Sequence, residues 1–200
     1  MTDTGTAAQT AAGTLAAADR VHPLQRQYRR YAVLVAVGLL WLGATGGFWA
    51  ACAAPSDPYR VLRVYDGDTI LVAGAGGRNV IRLLGIDAPE TSKGKGEPGQ
   101  PYSRAAQRHL AGLILNRTVT LVAYGEDRYH RVLAVVYSES RDINHAMIEA
   151  GLAEVYRGRT PEGFAKAPYL AAEAEARKTH TGMWQQGDAY VSPIRWKHPR

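Results

Sequence analysis

The sequence predicts an α+β, mainly β fold: a five-stranded barrel with three packed helices, preceded by a single transmembrane helix. Three observations predict it. Five segments rich in β-branched and aromatic residues lie between Gly, Asp and Asn punctuation. Helix-like stretches with recognisable starts and stops come mainly after them. An uncharged apolar run precedes them all. The chain has 200 residues, of which 46% are hydrophobic and 21% charged, enough for one domain with a packed core plus an extension. A net charge of +6 suits an anionic partner such as nucleic acid or a membrane face, and the single cysteine, Cys52, excludes an intrachain disulfide.

Residues 1–30 read as a disordered cytoplasmic tail. Ala, Thr and Gly dominate as far as Asp19, and Arg20, Arg26, Arg29 and Arg30 then accumulate positive charge. Residues 31–54 carry no charged side chain and as a helix would span about 36 Å, enough to cross a bilayer. Arginines before this run and none just after it place the N-terminus in the cytoplasm and the remainder outside. The alternative is secretion after cleavage near the small residues Ala50 to Ala54, with Cys52 weighed as a lipidation site. Residues 55–58 read as a linker.

Residues 59–185 form the folded domain and residues 186–200 a basic C-terminal tail, which either packs back or contacts nucleic acid. The strands are YRVLRVY, TILVA, NVIRLLGI, TVTLVAY and RVLAVVY, with a hairpin loop at Gly74 to Gly77. Helices are expected from about Tyr102 to Leu115, from the N-cap Asp142 through Ala150, and from about Pro168 to His180. A five-stranded OB-type barrel fits this order.

Chemistry begins at VYDGDTI, where Asp66 and Asp68 stand one residue apart in a strand-like stretch. The plain reading is a solvated turn. An EF-hand fails, because Ile70 and Leu71 occupy the places of a ligand and a glycine. A phosphatase of the haloacid dehalogenase type would need a βαβ framework that the pattern lacks. In NVIRLLGIDAPE, Arg82 lies inside an apolar strand, with Asp87 and Glu90 after it. A half-buried arginine needs an anion, either a structural carboxylate or a ligand. EDRYHRVLAVVY repeats the device with Arg131, preceded by Asp127 and Tyr129.

These motifs, followed by INHAMIEAGLAEVY and AEAEARKTHTGMW, resemble the staphylococcal nuclease (thermonuclease) family from about Val61 to Trp184. The resemblance implies an OB-type barrel with three helices and a Ca²⁺-dependent nuclease acting on DNA and RNA with 3′-phosphate products. It implies Asp66, Asp68 and Asp87 as calcium carboxylates, with Ala88 at the position of a backbone-carbonyl ligand. It implies Glu90 beside the attacking water and Arg82 and Arg131 on the scissile phosphate. Arg128, Tyr129 and Tyr156 fall near the nucleotide. Oxygen donors without His or Cys suit Ca²⁺ or Mg²⁺ over zinc. The chain departs from the family at Pro101-Tyr102-Ser103-Arg104, where a glycine and a glutamate are missing, and at His130, which stands in place of a glycine. Lys93 and Lys95 read as charges of a solvated loop. The expected protein is a monomer on the outer face of a membrane, attached through residues 31–54, with no protein partner legible. The alternatives are a non-catalytic single-strand-binding module on the same fold and a membrane-tethered protein-interaction domain. The latter leaves the charged set unexplained.

Overall fold

The computed structural model describes residues 58–197, apart from 93, 95 and 97. The expected membrane span, its cleavage alternative and the two loop lysines therefore lie outside the described residues. Among the described residues no helix is long and apolar enough to cross a membrane.

Strands β1 (Tyr59–Val64), β2 (Thr69–Gly74) and β3 (Gly77–Leu83) form an antiparallel meander. The β2–β3 turn is the expected glycine loop, closed by the pairing of Gly74 with Gly77. Strand β5 (Thr118–Glu126) pairs with β1, and β6 (Val132–Ser138) pairs antiparallel with β5. β6 then meets β3 in parallel register, Ile81 opposite Val132 and Leu83 opposite Ala134. That last pairing closes five strands into a barrel, which removes the exposed edges an open sheet would keep. Alternation along the strands puts Val61, Ile70, Val72, Ile81, Leu121, Ala134 and Val136 in the interior.

Two-residue strands β4 (Ile86–Asp87) and β8 (Glu154–Val155) pair with each other beside the barrel, and β7 (Arg141–Asp142) pairs antiparallel with the end of β6. Helix α1 (Ser103–Ile114) buries Ala106, Leu110 and Ile114 at helical spacing. It starts from Tyr102 at φ +67°, with no side-chain cap, at the place where the sequence departs from the family pattern. Helix α2 (Ile143–Glu149) has the expected cap: Asp142 Oδ1 accepts from the His145 N–H at 2.9 Å. Helix α3 (Ala167–Lys178) has proline in its first turn and packs on α2 and β8.

After α3 the chain continues through a short 3₁₀ segment (Gly182–Ala189) into helix α4 (Pro193–Lys197). Met183, Trp184 and Ala176 make a small buried cluster to which Tyr190 adds its ring. The C-terminal segment packs back on the domain at least as far as Lys197.

Buried Asn144 fixes the corner that leads to the site. Its Oδ1 accepts from the Val136 N–H at 3.1 Å, and its Nδ2 donates to the carbonyls of Leu84 (2.9 Å) and Ala134 (3.0 Å). One side chain joins α2, β6 and the turn after β3, so the β3–β4 corner has no freedom to drift.

Candidate nucleic-acid and metal site

The loop between β1 and β2 is held tightly enough to aim both of its aspartates. The Asp68 N–H donates to Asp66 Oδ1 at 2.9 Å, and Asp68 Oδ1 accepts from the Thr69 hydroxyl at 3.0 Å. Asp68 Oδ2 accepts from the Ala88 N–H at 2.8 Å, which ties this loop to the segment after β4. Gly67 makes the approach possible. A Cβ there would lie 2.6 Å from the Ala88 Cβ and 2.7 Å from the Ala106 Cβ.

Arg82 projects from β3 into the centre of this arrangement, with its side chain only 11% exposed. Its Nη1 lies 2.7 Å from Asp68 Oδ2 and its Nη2 2.8 Å from Asp87 Oδ1. The anion demanded by a strand arginine is therefore supplied by protein carboxylates. Burial works against the guanidinium charge, yet Asp68, Asp87, Asp66 and Glu90 outweigh it and hold its pKa above the ordinary value. Burial, followed by the Asp68 charge, pushes Asp66 up to about 7. Asp87 is raised in the same way, by burial and then by Asp68, against the pull of Arg82 and Lys197.

Across the barrel mouth, Arg131 opens β6 from a tight turn. Its Nε donates to Asp127 Oδ2 at 2.8 Å, and its Nη2 lies 2.7 Å from the same oxygen. Asp127 Oδ1 accepts from the N–H groups of Tyr129 (2.8 Å) and Arg131 (3.1 Å). His130 sits in this turn at φ +61°, a backbone position that favours glycine, which explains the residue expected there. Arg128 and Arg131 both lie over the ring of Tyr129, at 4.8 and 5.5 Å from its centroid, and that ring is 62% exposed.

All nine residues singled out from the sequence line one cleft of about 850 Å³: Asp66, Asp68, Arg82, Asp87, Glu90, Arg128, Tyr129, Arg131 and Tyr156. Tyr156 reaches it because β8 pairs with β4 and the Tyr156 N–H donates to the Gly85 carbonyl at 2.9 Å. Sequence reasoning missed several contributors, Arg159 in the cleft lining among them. Lys197 from α4 pairs with Asp87 at 3.0 Å and Glu90 at 2.8 Å, and Ile194 lines the same cleft. Gln100 accepts from the Glu90 N–H at 3.1 Å and so positions its backbone. No local signal marks any of them.

The donor chemistry fits a hard divalent cation: oxygen ligands only, with buried negative charge that a cation would relieve. As the side chains stand, no group of three or more acidic, His or Cys residues among the described residues forms a ligating cluster, and Arg82 and Lys197 hold Asp68 and Asp87. A cation would share or displace those contacts.

A family model described as "Staphylococcal nuclease homologue" matches residues 80–186. The chain is 31% identical over 149 residues to an "Uncharacterized endonuclease" of Haemophilus influenzae, covering 74% of this chain and 77% of that protein. It is 37% identical over 141 residues to an "Uncharacterized endonuclease" of Escherichia coli, covering 70% and 84%. A "Probable endonuclease LCL3" of Paracoccidioides lutzii is 37% identical over 131 residues, covering 59% of this chain but only 37% of that longer protein.

Proposed function

Because the chain belongs to the staphylococcal nuclease family, we propose that it is a Ca²⁺-dependent nuclease that hydrolyses phosphodiester bonds of DNA and RNA with little sequence preference. The observation that carries this reading is the convergence of two arginines, one from β3 and one from the turn before β6, and four carboxylates, Asp66, Asp68, Asp87 and Glu90, on one open cleft. The endonuclease names of its relatives support it.

The proposed mechanism assigns each side chain a task. Arg82 and Arg131 present planar guanidinium forks to the phosphate, where negative charge gathers as the phosphorus becomes pentacoordinate. Glu90 orients a water molecule and accepts its proton. Asp66, Asp68 and Asp87 are the residues that would hold Ca²⁺, which supplies positive charge to the phosphate oxygens when bound. For the phosphate to be gripped, each arginine gives up or shares a carboxylate contact that it makes in this structure. Tyr129, Arg128 and Tyr156 form the rim against which a base or sugar rests, since an exposed ring stacks on any base without reading sequence. Cleavage is endonucleolytic and leaves 3′-phosphate ends. The enzyme acts as a monomer on the outer side of a membrane, attached through residues 31–54.

The test follows release of acid-soluble nucleotides from single-stranded DNA, with Ca²⁺ and with excess chelator, beside Glu90→Gln. Ca²⁺-dependent release that largely vanishes in the variant is the expected result. A folded protein that binds DNA but never cuts it, under any divalent metal, replaces the enzyme with the binding module.

A further inference from the structure

Lys197 lies 110 residues after Asp87 in the chain, yet its ammonium sits 3.0 Å from Asp87 Oδ1 and 2.8 Å from Glu90 Oε1. The side chain is 25% exposed, so this is not a solvated surface pair. The arm that delivers it is anchored along its length. Tyr190 donates to Glu154 Oε2 at 2.6 Å and packs its ring on Trp184, with centroids 4.6 Å apart. Gln100 Nε2 donates to the Val191 carbonyl at 2.6 Å, while Gln100 Oε1 holds the Glu90 N–H. Pro193 is buried and Ile194 lines the cleft. One glutamine thus fastens both the arm and the residue that the arm's lysine contacts.

On the nuclease reading, Asp87 is a carboxylate for the divalent ion and Glu90 the acceptor of the water proton. An ammonium within 3.0 Å of both is a resident cation in the electrostatic position that the metal would exploit. Resting on that reading, we propose that Lys197 is a built-in competitor of the divalent ion at Asp87, which sets how much metal the site requires and keeps Glu90 paired until metal and nucleic acid arrive. Arg82 cannot serve this purpose alone, because it is locked in the barrel wall between Asp68 and Asp87, whereas Lys197 stands at the end of a five-residue helix.

The experiment compares the purified full chain, in detergent, with Lys197→Met, Lys197→Gln and Lys197→Arg. Binding of Ca²⁺ alone is titrated by calorimetry, and Ca²⁺-dependent cleavage of single-stranded DNA is measured in parallel. The two neutral variants are expected to bind Ca²⁺ on the order of tenfold tighter than the natural chain, because like-charge repulsion at Asp87 is removed. They should also melt at a lower temperature without Ca²⁺, and Lys197→Arg should stay near the natural chain in both respects. Unchanged or weaker Ca²⁺ binding in both neutral variants, with Ca²⁺-dependent cleavage intact in the natural chain, overturns the role of Lys197 and leaves the nuclease reading standing. Absence of both Ca²⁺ binding and cleavage in every form overturns the two together.

Discussion

Arg82 stands inside the barrel wall, 11% exposed and bonded to two carboxylates, while Arg131 stands at the rim, 30% exposed and bonded to one. The first arises from β3, a strand paired on both sides, with β2 and with β6. The second arises at the end of a turn whose positive-φ residue, His130, is exposed to solvent. On the proposed function, the same residue type facing the same cleft serves both the fold and the chemistry in one place, and mainly the chemistry in the other. A buried charge deprived of its partner is costly, whereas a pair partly open to solvent, as between Arg131 and Asp127, contributes less.

Arg82→Ala tests this most strongly. It leaves Asp68 and Asp87 buried without their guanidinium, so about 3–5 kcal/mol of stability should be lost in denaturant melts. Any protein that remains folded should cut DNA on the order of 100- to 1,000-fold more slowly. Arg131→Ala should lose activity on a similar scale but no more than about 1 kcal/mol of stability. If the two variants melted alike, the contrast between wall and rim would be broken.

Gly67→Ala probes the aspartate loop without touching a charge. Its new methyl meets the Cβ atoms of Ala88 and Ala106 at under 3 Å, so a loss of about 1–3 kcal/mol is expected, together with weaker Ca²⁺ binding in the same calorimetric titration.

The smallest effect belongs to Asp127. Burial raises its pKa, but hydrogen bonds from Arg131 and from the Tyr129 N–H outweigh that and hold it below the ordinary 3.8. A carboxyl depressed by folding stabilises the protein above its unfolded pKa, and that contribution disappears as pH falls through the folded value. Asp127→Asn should therefore cost under about 1 kcal/mol at neutral pH, and the cost should fade as pH falls below about 4. Melting temperatures of the two forms across the acid range check it.

Much of the site is legible in the amino-acid sequence, for a definite reason. Arg82 lies within a short strand whose alternation says which side chains face inward, and a charge in such a place asks for a partner, whereas Asp66 and Asp68 by themselves read as a solvated turn and take their role from the resemblance of the surrounding motifs. The caps and stops of α2 are equally local: Asp142 and Gly151 act on backbone groups a few residues away. What stays illegible is of another kind. The partner of Arg82 is open between ligand and carboxylate, because a sequence does not say which distant group will fill a space.

Residue type and short-range spacing determined the five barrel strands, the three longer helices and the preference for hard oxygen donors, while the nine cleft residues were named through the resemblance of whole motifs, in their order along the chain, to a known family. Tertiary structure decided the rest. The parallel pairing of β6 on β3 closes the barrel and brings Arg131 to the same mouth as Arg82. The return of the C-terminal arm places Lys197 against Asp87 and Glu90. Both are long-range contacts whose energy depends on charges and surfaces meeting only after the chain has closed, and no period or motif encodes such a meeting.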